Sequence, residues 1–397
     1  GAVVNCHCTN SIILFNESVL GIEHRISTVA STFSYCCARP LPVGEGNQEI
    51  DPRLVSVSHL GADSPILAAG RPGASAGADI DGQPWAVNPS IGADQIMDPP
   101  LLGEIDIRIK AATTNCATEN LIRFVARSGG PLLRSVWDFG DGTTATNAAV
   151  AWHGWRQPGS YTVRLTGFNH SHPEGVTAEC RVQVAEAIHY VDVVNAHPVP
   201  PYLTWETAAT NIQDAVDAGT VPGRLVLVKP GVYAQGTDPS GQARIAFNNA
   251  IVRSVAGPSV TLIDGNNEIR CAAVGPAAVL GGFGILRGSG DYGGGVQCHY
   301  LGTVTNCIIL GNRAYAGGGA GGGVYYDCVF ADNFAHQDGG GVSDARWVYG
   351  CALRNNYASR QGSGASTSTL RQCEIERNSG GSSAVRCDRY DCRLTGY

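Results

Sequence analysis

Five short phrases near the C-terminal end of the chain read N-C-I-I-L-G-N (306–312), D-C-V-F-A-D-N (327–333), G-C-A-L-R-N-N (350–356), Q-C-E-I-E-R-N (372–378) and D-C-R-L-T-G-Y (391–397). Their cysteines follow one another at intervals of 21, 23, 22 and 19 residues, and glycine runs separate the phrases. A period near 20 residues with one β-rich phrase, a turn and a glycine-rich return is typical of a β-solenoid. We expect the cysteines and alternating apolar residues to point inward, and each asparagine to hydrogen-bond the backbone at its bend.

The residues before the repeats predict further strands and one helix. Short β-rich runs alternate with Pro-Gly, Asp-Gly and Gly-Gly turns between residues 220 and 295. Apolar residues within T-W-E-T-A-A-T-N-I-Q-D-A-V-D-A (204–218) recur at helical spacing, which predicts a helix with Thr204 as its N-cap and Gly219 as its C-terminal end. We expect this helix to cover the apolar core of the first coil.

This C-terminal region, residues 188–397, resembles right-handed parallel β-helix repeat proteins of bacterial surface and secreted polypeptides. The resemblance implies a right-handed parallel β-helix and an extracellular or cell-surface location, and it implies no reaction. The residues that carry it, besides the Cys/Gly repeats, are Y-V-D (190–192), the stretch 204–216, P-G-V-Y (230–233) and V-R-S-V-A-G-P-S-V-T-L-I-D-G (252–265).

A second resemblance lies in the middle of the chain. The phrases V-W-D-F-G-D-G-T-T (136–144) and P-G-S-Y-T-V-R-L-T (158–166) resemble those of PKD domains, which are immunoglobulin-like β-sandwiches. In the first phrase Trp and Phe alternate with turn-forming Asp and Gly, and the second predicts a turn into a half-buried strand. The resemblance implies a spacer or adhesion module at residues 101–187, without catalytic residues.

The first hundred residues contain G-N-Q-E-I-D-P-R-L (46–54), H-L-G-A-D-S-P-I-L-A-A-G (59–70) and D-I-D-G-Q-P-W (79–85). These phrases resemble the segment that follows the last coil in the same β-helix family. The sequence therefore predicts an all-β chain with three domains. They are the last coil or coils and closing segment of a β-helix (1–100), a PKD-like sandwich (101–187), and a capping helix with the first coils of the next β-helix (188–397).

The two ends of the chain align with each other. A-V-R-C-D-R-Y-D-C-R-L (384–394) matches V-V-N-C-H-C-T-N-S-I-I (3–13) without a gap, so that the N-terminal phrase continues the repeat. An open coil edge is an aggregation template, but two complementary edges can pair with each other. The residues expected to form this assembly interface are Val3, Val4, Cys6, Ser11, Ile12, Ile13, Val385, Cys387, Cys392 and Leu394.

Three arrangements explain a β-helix that is split in this way. The chain is one period of a longer tandem polypeptide, or separate copies add head to tail through their coils, or the chain is a fragment. The first two give a fibre of alternating β-helix and PKD-like units, because a heterologous contact that does not close generates a filament. The expected partner is therefore another copy of the chain.

The 14 cysteines are even in number, which suits an oxidising compartment. Cys116 and Cys180 lie near the two ends of the PKD-like region. The sequence is equally compatible with a disulfide that ties its outer strands and with two separate thiols. Cys6-His7-Cys8 has metal-ligating residue types, but no further ligands at suitable spacing are evident. We favour inward packing of Cys6 in a cysteine column, with metal binding as the alternative.

Composition bears on the class of function. The formal net charge is −7 and no basic run occurs, so nucleic acid and anionic membranes are not expected as partners. No apolar stretch approaches the roughly 20 residues that span a bilayer. No cofactor is expected; Ca²⁺ at the turns of Asp79, Asp81, Asp138 and Asp141 is the alternative to plain turn capping.

We therefore expect a non-enzymatic, extracellular structural protein that forms a fibre. A cell-surface adhesin or carbohydrate-binding module, with a surface polysaccharide as partner, is the first alternative. A β-helix polysaccharide lyase or hydrolase is the second, since such enzymes share the fold. That chemistry requires grouped carboxylates on one face of the solenoid, and the coil carboxylates show no repeated pair.

Overall fold

The structure is a computed structural model that describes residues 6–14, 31–39, 41–96, 101–383 and 385–395. In these ranges it consists of short β-strands and one helix, which confirms the predicted all-β fold. The chain divides into two compact units, Gly1–Ala185 and Glu186–Tyr397. None of the described helices is long and apolar enough to cross a membrane.

The first unit begins with two stacked coils. Strands β1 (His7–Thr9) and β2 (Ile12–Ile13) belong to one coil, and β3 (Thr32–Ser34) and β4 (Cys37–Ala38) to the next. β1 pairs with β3 and β2 with β4, both in parallel. Parallel pairing at a spacing of 25 residues is the geometry of a β-helix coil, as predicted for this end of the chain.

A β-sandwich follows, as the PKD-like phrases predict. Three strands form an antiparallel sheet, in the order β10 (Val150–His153), β7 (Ile122–Gly129) and β5 (Asp106–Ala111). Five strands form a second sheet, in the order β6 (Asn115–Ala117), β12 (Val176–Ala185), β11 (Gly159–Phe168), β8 (Arg134–Asp138) and β9 (Thr144–Thr146). Trp137, Phe124 and Trp155 fill the space between the two sheets, and Val163 and Leu165 of the predicted half-buried strand are fully buried.

The segment that follows the first two coils packs against this sandwich. Val55 belongs to the sandwich core, and its carbonyl accepts a hydrogen bond from Ser135 Oγ at 2.7 Å. The amide of Val57 donates to the carbonyl of Ala126 at 3.1 Å. The predicted boundary between residues 100 and 101 therefore lies inside one compact unit.

The disulfide alternative for Cys116 and Cys180 is wrong in this structure, where both are free thiols. Cys116 of β6 lies opposite Val184, which is four residues along β12 from Cys180. At about 3.3 Å per residue the two Cα atoms lie about 13 Å apart, well beyond the roughly 7 Å that a disulfide can bridge. Burial raises the pKa of both thiols.

The second unit is a β-solenoid of three parallel sheets. Each coil of the repeat region contributes a strand to the first sheet, turns a corner into a second, and turns again into a third. The first sheet contains β13 (Ile188–Val191), β14 (Arg224–Val228), β16 (Ala243–Phe247), β17 (Ala250–Ser254), β19 (Arg270–Val274), β20 (Val279–Gly281), β23 (Val296–Thr305), β26 (Ala320–Tyr326), β29 (Val342–Ser343), β30 (Trp347–Tyr349), β33 (Ala365–Arg371) and β35 (Val385–Tyr390).

The other two sheets run alongside it, with all pairs parallel. The second sheet contains β15 (Gly231–Tyr233), β18 (Thr261–Asp264), β21 (Gly284–Leu286), β24 (Ile308–Leu310), β27 (Val329–Ala331), β31 (Ala352–Arg354), β34 (Glu374–Glu376) and β36 (Arg393–Thr395). The third contains β22 (Ser289–Tyr292), β25 (Arg313–Ala316), β28 (Phe334–Ala335) and β32 (Tyr357–Ala358).

The last asparagine in each of the first four phrases belongs to a buried ladder. Asn312 Nδ2 donates to Asn333 Oδ1 at 3.0 Å, Asn333 Nδ2 to Asn356 Oδ1 at 2.9 Å, and Asn356 Nδ2 to Asn378 Oδ1 at 2.9 Å. Each also donates to a backbone carbonyl, as Asn356 Nδ2 does to Phe330 at 3.0 Å. The predicted bond to the backbone is confirmed, and the side-chain ladder satisfies buried amides that would otherwise be costly.

The helix is shorter than predicted. α1 (Ile212–Ala218) begins at an N-cap Asn211, whose side chain accepts from the amide of Asp214 at 2.9 Å. Thr204 is therefore not the N-cap, although the predicted end at Gly219 is confirmed. The start was wrong because Ala209 pairs with β13: its amide donates to the carbonyl of Tyr190 at 2.9 Å. The helix packs its buried face into the solenoid core, consistent with a cap.

Candidate assembly interface

The last described coil of the solenoid supplies one side of the predicted interface. β36 pairs in parallel with β34, so that Leu394 lies opposite Ile375. Val385, Cys392 and Leu394 all pack against the solenoid core but remain partly exposed. Cys387 lies in β35, and its side chain is outside the described part of the structure. The coil therefore presents a half-covered apolar layer.

The first described coil supplies the other side. Ile13 is buried with Phe33, Cys36 and Ala38 of the next coil, while Ser11 and Ile12 are partly exposed. Cys6 is exposed. The predicted interface residues Val3 and Val4 lie outside the described residues.

The corner before the second-sheet strands of the repeat region, β24 to β36, has the same backbone conformation as the corners of the first unit. In the solenoid, Asp327 (φ 52°), Gln372 (φ 53°) and Asp391 (φ 52°) occupy this corner in the left-handed region. In the first unit the corner residues are Asn10 (φ 50°) and Tyr35 (φ 53°). Positive φ is uncommon for residues other than glycine. The end-to-end alignment places Asn10 opposite Asp391, so the structure gives matching turns to residues that the sequence paired.

The residue after this corner makes the same side-chain hydrogen bond in each of these coils. Its Sγ or Oγ donates to the carbonyl two residues earlier. In the solenoid the bonds are Cys307 to Thr305 (3.2 Å), Cys328 to Tyr326 (3.2 Å), Cys351 to Tyr349 (3.3 Å), Cys373 to Arg371 (3.3 Å) and Cys392 to Tyr390 (3.3 Å). In the first unit they are Ser11 to Thr9 (2.9 Å) and Cys36 to Ser34 (3.4 Å).

These side chains form the column that we name the corner column: Cys307, Cys328, Cys351, Cys373 and Cys392 in one unit, Ser11 and Cys36 in the other. The first four and Cys36 are buried, and burial raises the pKa of Cys328 and Cys36. Thiols whose pKa is raised in this way are protonated and act as small apolar groups that also donate one weak hydrogen bond. The column is structural, and the sequence identified it through the spacing of its cysteines.

The Cys6-His7-Cys8 triplet does not converge on one point. Neighbouring residues of a strand point to opposite faces. Cys8 packs toward Phe33 and Cys36, while Cys6 is exposed, and His7 Nδ1 lies 2.5 Å from Thr32 Oγ1. Within the described ranges no three His, Cys, Asp or Glu side chains are grouped for a metal ion.

The aspartates of the predicted turns act as caps. Asp79 Oδ1 accepts from the amides of Asp81 and Gln83 at 2.9 and 2.7 Å, and its Oδ2 accepts from the amide of Gln95 at 2.9 Å. Asp138 Oδ1 accepts from the amide of Gly140 at 2.8 Å, and Asp141 Oδ1 from that of Thr143 at 3.0 Å. Plain turn capping accounts for these bonds.

One buried cluster was not predicted from the sequence. His59 is buried, with Nδ1 at 2.8 Å from Ser56 Oγ and Nε2 at 3.3 Å from Asp81 Oδ1. Asp94, also buried, accepts from the amide of Leu60 at 2.7 Å, and burial raises the pKa of its carboxyl to about 6. This cluster has no local sequence signature, because Asp81 and Asp94 lie 22 and 35 residues from His59 along the chain.

Residues 105–184 match the PKD domain family. This confirms the predicted sandwich, and with the parallel coils it shows a β-helix protein that carries a PKD domain. No curated protein sequence matches the chain.

Three solved structures are similar to parts of it. One is a carbohydrate-binding module of the β-sandwich superfamily (20% identity, 25% of this chain, 40% of that chain, TM-score 0.21). Another is the PKD domain of human VPS10 domain-containing receptor SorCS2 (23% identity, 30% of this chain, 94% of that chain, TM-score 0.19). The third is the Yersinia enterocolitica family 28 exopolygalacturonase (11% identity, 75% of this chain, 77% of that chain, TM-score 0.20). This chain therefore covers less than half the length of the carbohydrate-binding module structure. TM-scores this low carry no functional argument.

Proposed function

We propose that the chain is the repeating element of an extracellular fibre. In this fibre the β-helix of one copy ends at the coil of residues 385–395, and the coil of residues 6–14 of the next copy continues it. The observation that carries the proposal is the shared corner. Ser11 and Cys392 follow left-handed residues that the sequence aligns, and both donate to the carbonyl two residues earlier. Coils with matching corners can stack in register.

Stacking would satisfy both edges at once. β2 would pair with β36 as β36 pairs with β34, and Ile13 would come to lie over Leu394 as Leu394 lies over Ile375. Ile13 is already buried, so the gain comes mainly from Leu394, and covering its exposed part contributes a fraction of the about 1.5–3 kcal/mol that complete burial of an aliphatic side chain gives. The unpaired N–H and C=O groups of the two strand edges would also exchange their hydrogen bonds with water for hydrogen bonds with each other. A contact between different surfaces of identical units propagates into a filament.

Two ways of joining the units are compatible with this proposal, as separate chains or as periods of one tandem polypeptide. A fusion of two copies, with residue 1 of the second following residue 397 of the first, tests both. We expect the amides of β36 in the first copy and β2 in the second to gain protection from hydrogen exchange relative to the single copy. Sedimentation of the single copy then separates the arrangements, since only separate chains that add head to tail form oligomers alone.

Leu394→Asp in the first copy should abolish that gain, because it places a carboxylate in the junction. Val43→Asp is the matched control, since Val43 is 91% exposed and outside the interface. Equal protection in the fusion and the single copy, together with a monomeric single copy, would overturn the proposal.

The proposal assigns no catalytic step and no cofactor. Three carboxylates of the solenoid have structural partners: Asp338 pairs with Arg360 at 3.3 Å, Asp264 pairs with Arg287, and Asp344 Oδ2 accepts from Tyr292 Oη at 3.1 Å. Carboxylates engaged in this way are poor candidates for the acid and base pair of a glycoside hydrolase.

A further inference from the structure

Four large aromatic side chains lie together on the outer face of the first sheet. Tyr326 is 42% exposed, Trp347 40%, Tyr349 37% and Tyr390 54%. Tyr325, next to Tyr326, and Val348, between Trp347 and Tyr349, are fully buried, so strand alternation directs these three aromatic side chains outward. Tyr390 joins them through its own exposure and through its pairing opposite Arg371. We call this set the aromatic stripe.

The stripe runs along the axis of the solenoid. Parallel pairing places Tyr326 opposite Tyr349, Tyr349 opposite Arg371, and Arg371 opposite Tyr390. Successive coils are about 4.8 Å apart, so the column extends over about 14 Å. The rings of Tyr326 and Tyr349 have centroids 6.1 Å apart, and Trp347 flanks Tyr349 two residues earlier in the same strand. The result is an extended, shallow platform.

Hydrogen-bonding side chains border the rings on one side. The corner residues Asp327, Gln372 and Asp391 directly follow the column and are exposed. Arg371 lies inside the column, is exposed, and makes no ion pair among the described residues. Aromatic faces beside amide, carboxylate and guanidinium groups suit the two surfaces of a sugar ring, its C–H face and its hydroxyl rim.

We propose that the aromatic stripe is a binding site for a polysaccharide strand that lies along the solenoid axis. Sugar rings of the strand stack on Tyr326, Tyr349 and Trp347, and their hydroxyls hydrogen-bond to Arg371 and the corner residues. Repetition of the platform from coil to coil matches a repeating polymer. Tyr390 and Asp391 lie in the last coil, beside the proposed assembly contact, but Tyr326, Trp347 and Tyr349 do not, so the site stands whether or not copies of the chain join.

The size and charge of the stripe argue against other occupants. Four aromatic side chains exposed to this degree offer roughly 300–400 Å², about half of the 800 Å² that each partner contributes to a stable protein interface. Asp327 and Asp391 offset the charge of Arg371, and the chain has a formal net charge of −7. Nucleic acid and anionic lipid need a basic surface, so they do not fit.

Affinity electrophoresis in native gels tests the site, with hydroxyethylcellulose as a neutral probe and alginate as an acidic one. We expect retardation of the intact chain, and at least a tenfold weaker apparent affinity for Trp347→Ala and Tyr349→Ala. Tyr349→Phe keeps the ring and should keep most of the retardation. Tyr315→Ala is the matched control, because Tyr315 is comparably exposed (54%) but lies on the third sheet.

Circular dichroism of each variant separates loss of binding from loss of fold. If Tyr349→Ala misfolds, the Tyr349→Phe and Trp347→Ala variants still test whether the aromatic rings bind the polymer. No retardation of the intact chain by either polymer overturns the proposal. So does equal retardation of Tyr349→Ala and the intact chain, or alginate binding that Arg371→Ala abolishes and Trp347→Ala leaves unchanged, since charge alone would then explain it.

Discussion

Ser11 and Cys392 make the same hydrogen bond at opposite ends of the chain. The Ser11 hydroxyl donates to the carbonyl of Thr9 at 2.9 Å, and the Cys392 thiol donates to that of Tyr390 at 3.3 Å. Each follows a residue with φ near 50°, Asn10 or Asp391. Serine differs from cysteine by one atom, so it can occupy the corner column without altering the corner.

This equivalence predicts a cross-link. In the proposed junction Ser11 and Cys392 of successive units lie one coil apart, with Cα atoms about 4.8 Å from each other, which is within the range of disulfides. We expect Ser11→Cys to form a disulfide between the introduced thiol and Cys392 of another copy under mild oxidation. Peptide mass spectrometry of the two-copy fusion and of the concentrated single copy identifies the linked pair.

The control for this cross-link is Ser31→Cys, which introduces a thiol in the same unit outside the corner column. It should give no peptide linked to Cys392. If Ser11→Cys also gives none, while Ser11→Ala behaves like the unmodified chain, the proposed register of the junction is wrong.

A second prediction concerns two glycines of the repeats that have different roles. A Cβ at Gly318 would lie 2.3 Å from the carbonyl oxygen of Phe334 in the next coil. Gly318→Ala therefore forces the coils apart, and we expect it to lower the free energy of unfolding by about 2 kcal/mol or more, as strain of this kind does. Urea unfolding followed by circular dichroism measures the shift in midpoint.

Gly311 is the matched control, because it has a φ of 63° but a Cβ added there would meet no atom within 4 Å. Asp332, Asn355 and Arg377 occupy the equivalent corner in the next coils with φ of 53°, 54° and 50°. Gly311→Asn should therefore change the free energy of unfolding by less than about 0.5 kcal/mol. A larger loss from Gly311→Asn than from Gly318→Ala would contradict the stacking argument.

Much of the solenoid could be predicted from the sequence, because Cys307, Cys328, Cys351 and Cys373 repeat at nearly constant spacing and each is buried. The asparagine ladder was only half predicted: the backbone bond follows from the turn, but contact between Asn333 and Asn356 depends on coils stacking in register. Local patterns predict local geometry. They do not show which equivalent residues meet.

The same limit explains the errors and omissions. The start of α1 was misplaced because Ala209 bonds to Tyr190, a partner outside the helical window. The aromatic stripe was overlooked because its members are scattered over 65 residues and meet only through strand pairing. The alignment of the two ends paired Asn10 with Asp391, but it did not predict the positive φ that both residues have in the structure.

The last prediction concerns pH and the buried carboxyl of Asp94. Burial, together with the charges of Asp81 and Asp79, raises its pKa from an ordinary value of 3.8 to about 6, although the amide of Leu60 and His59 act in the opposite direction. The folded state therefore binds a proton that the unfolded state has released between pH 4 and 6. Through this group, stability is greatest below about pH 4 and is lost as the pH rises through about 6.

Asp94→Asn tests this effect, because its amide oxygen can still accept from Leu60 but cannot ionise. We expect the variant to be more stable than the unmodified chain at pH 7, by about 1–3 kcal/mol, and the difference to shrink toward pH 4. Thermal unfolding across pH 4 to 7 measures it, with Asp63→Asn, an exposed carboxylate of the same segment, as the control. A difference that is independent of pH would show that Asp94 stabilises the segment through its hydrogen bond and not through its protonation.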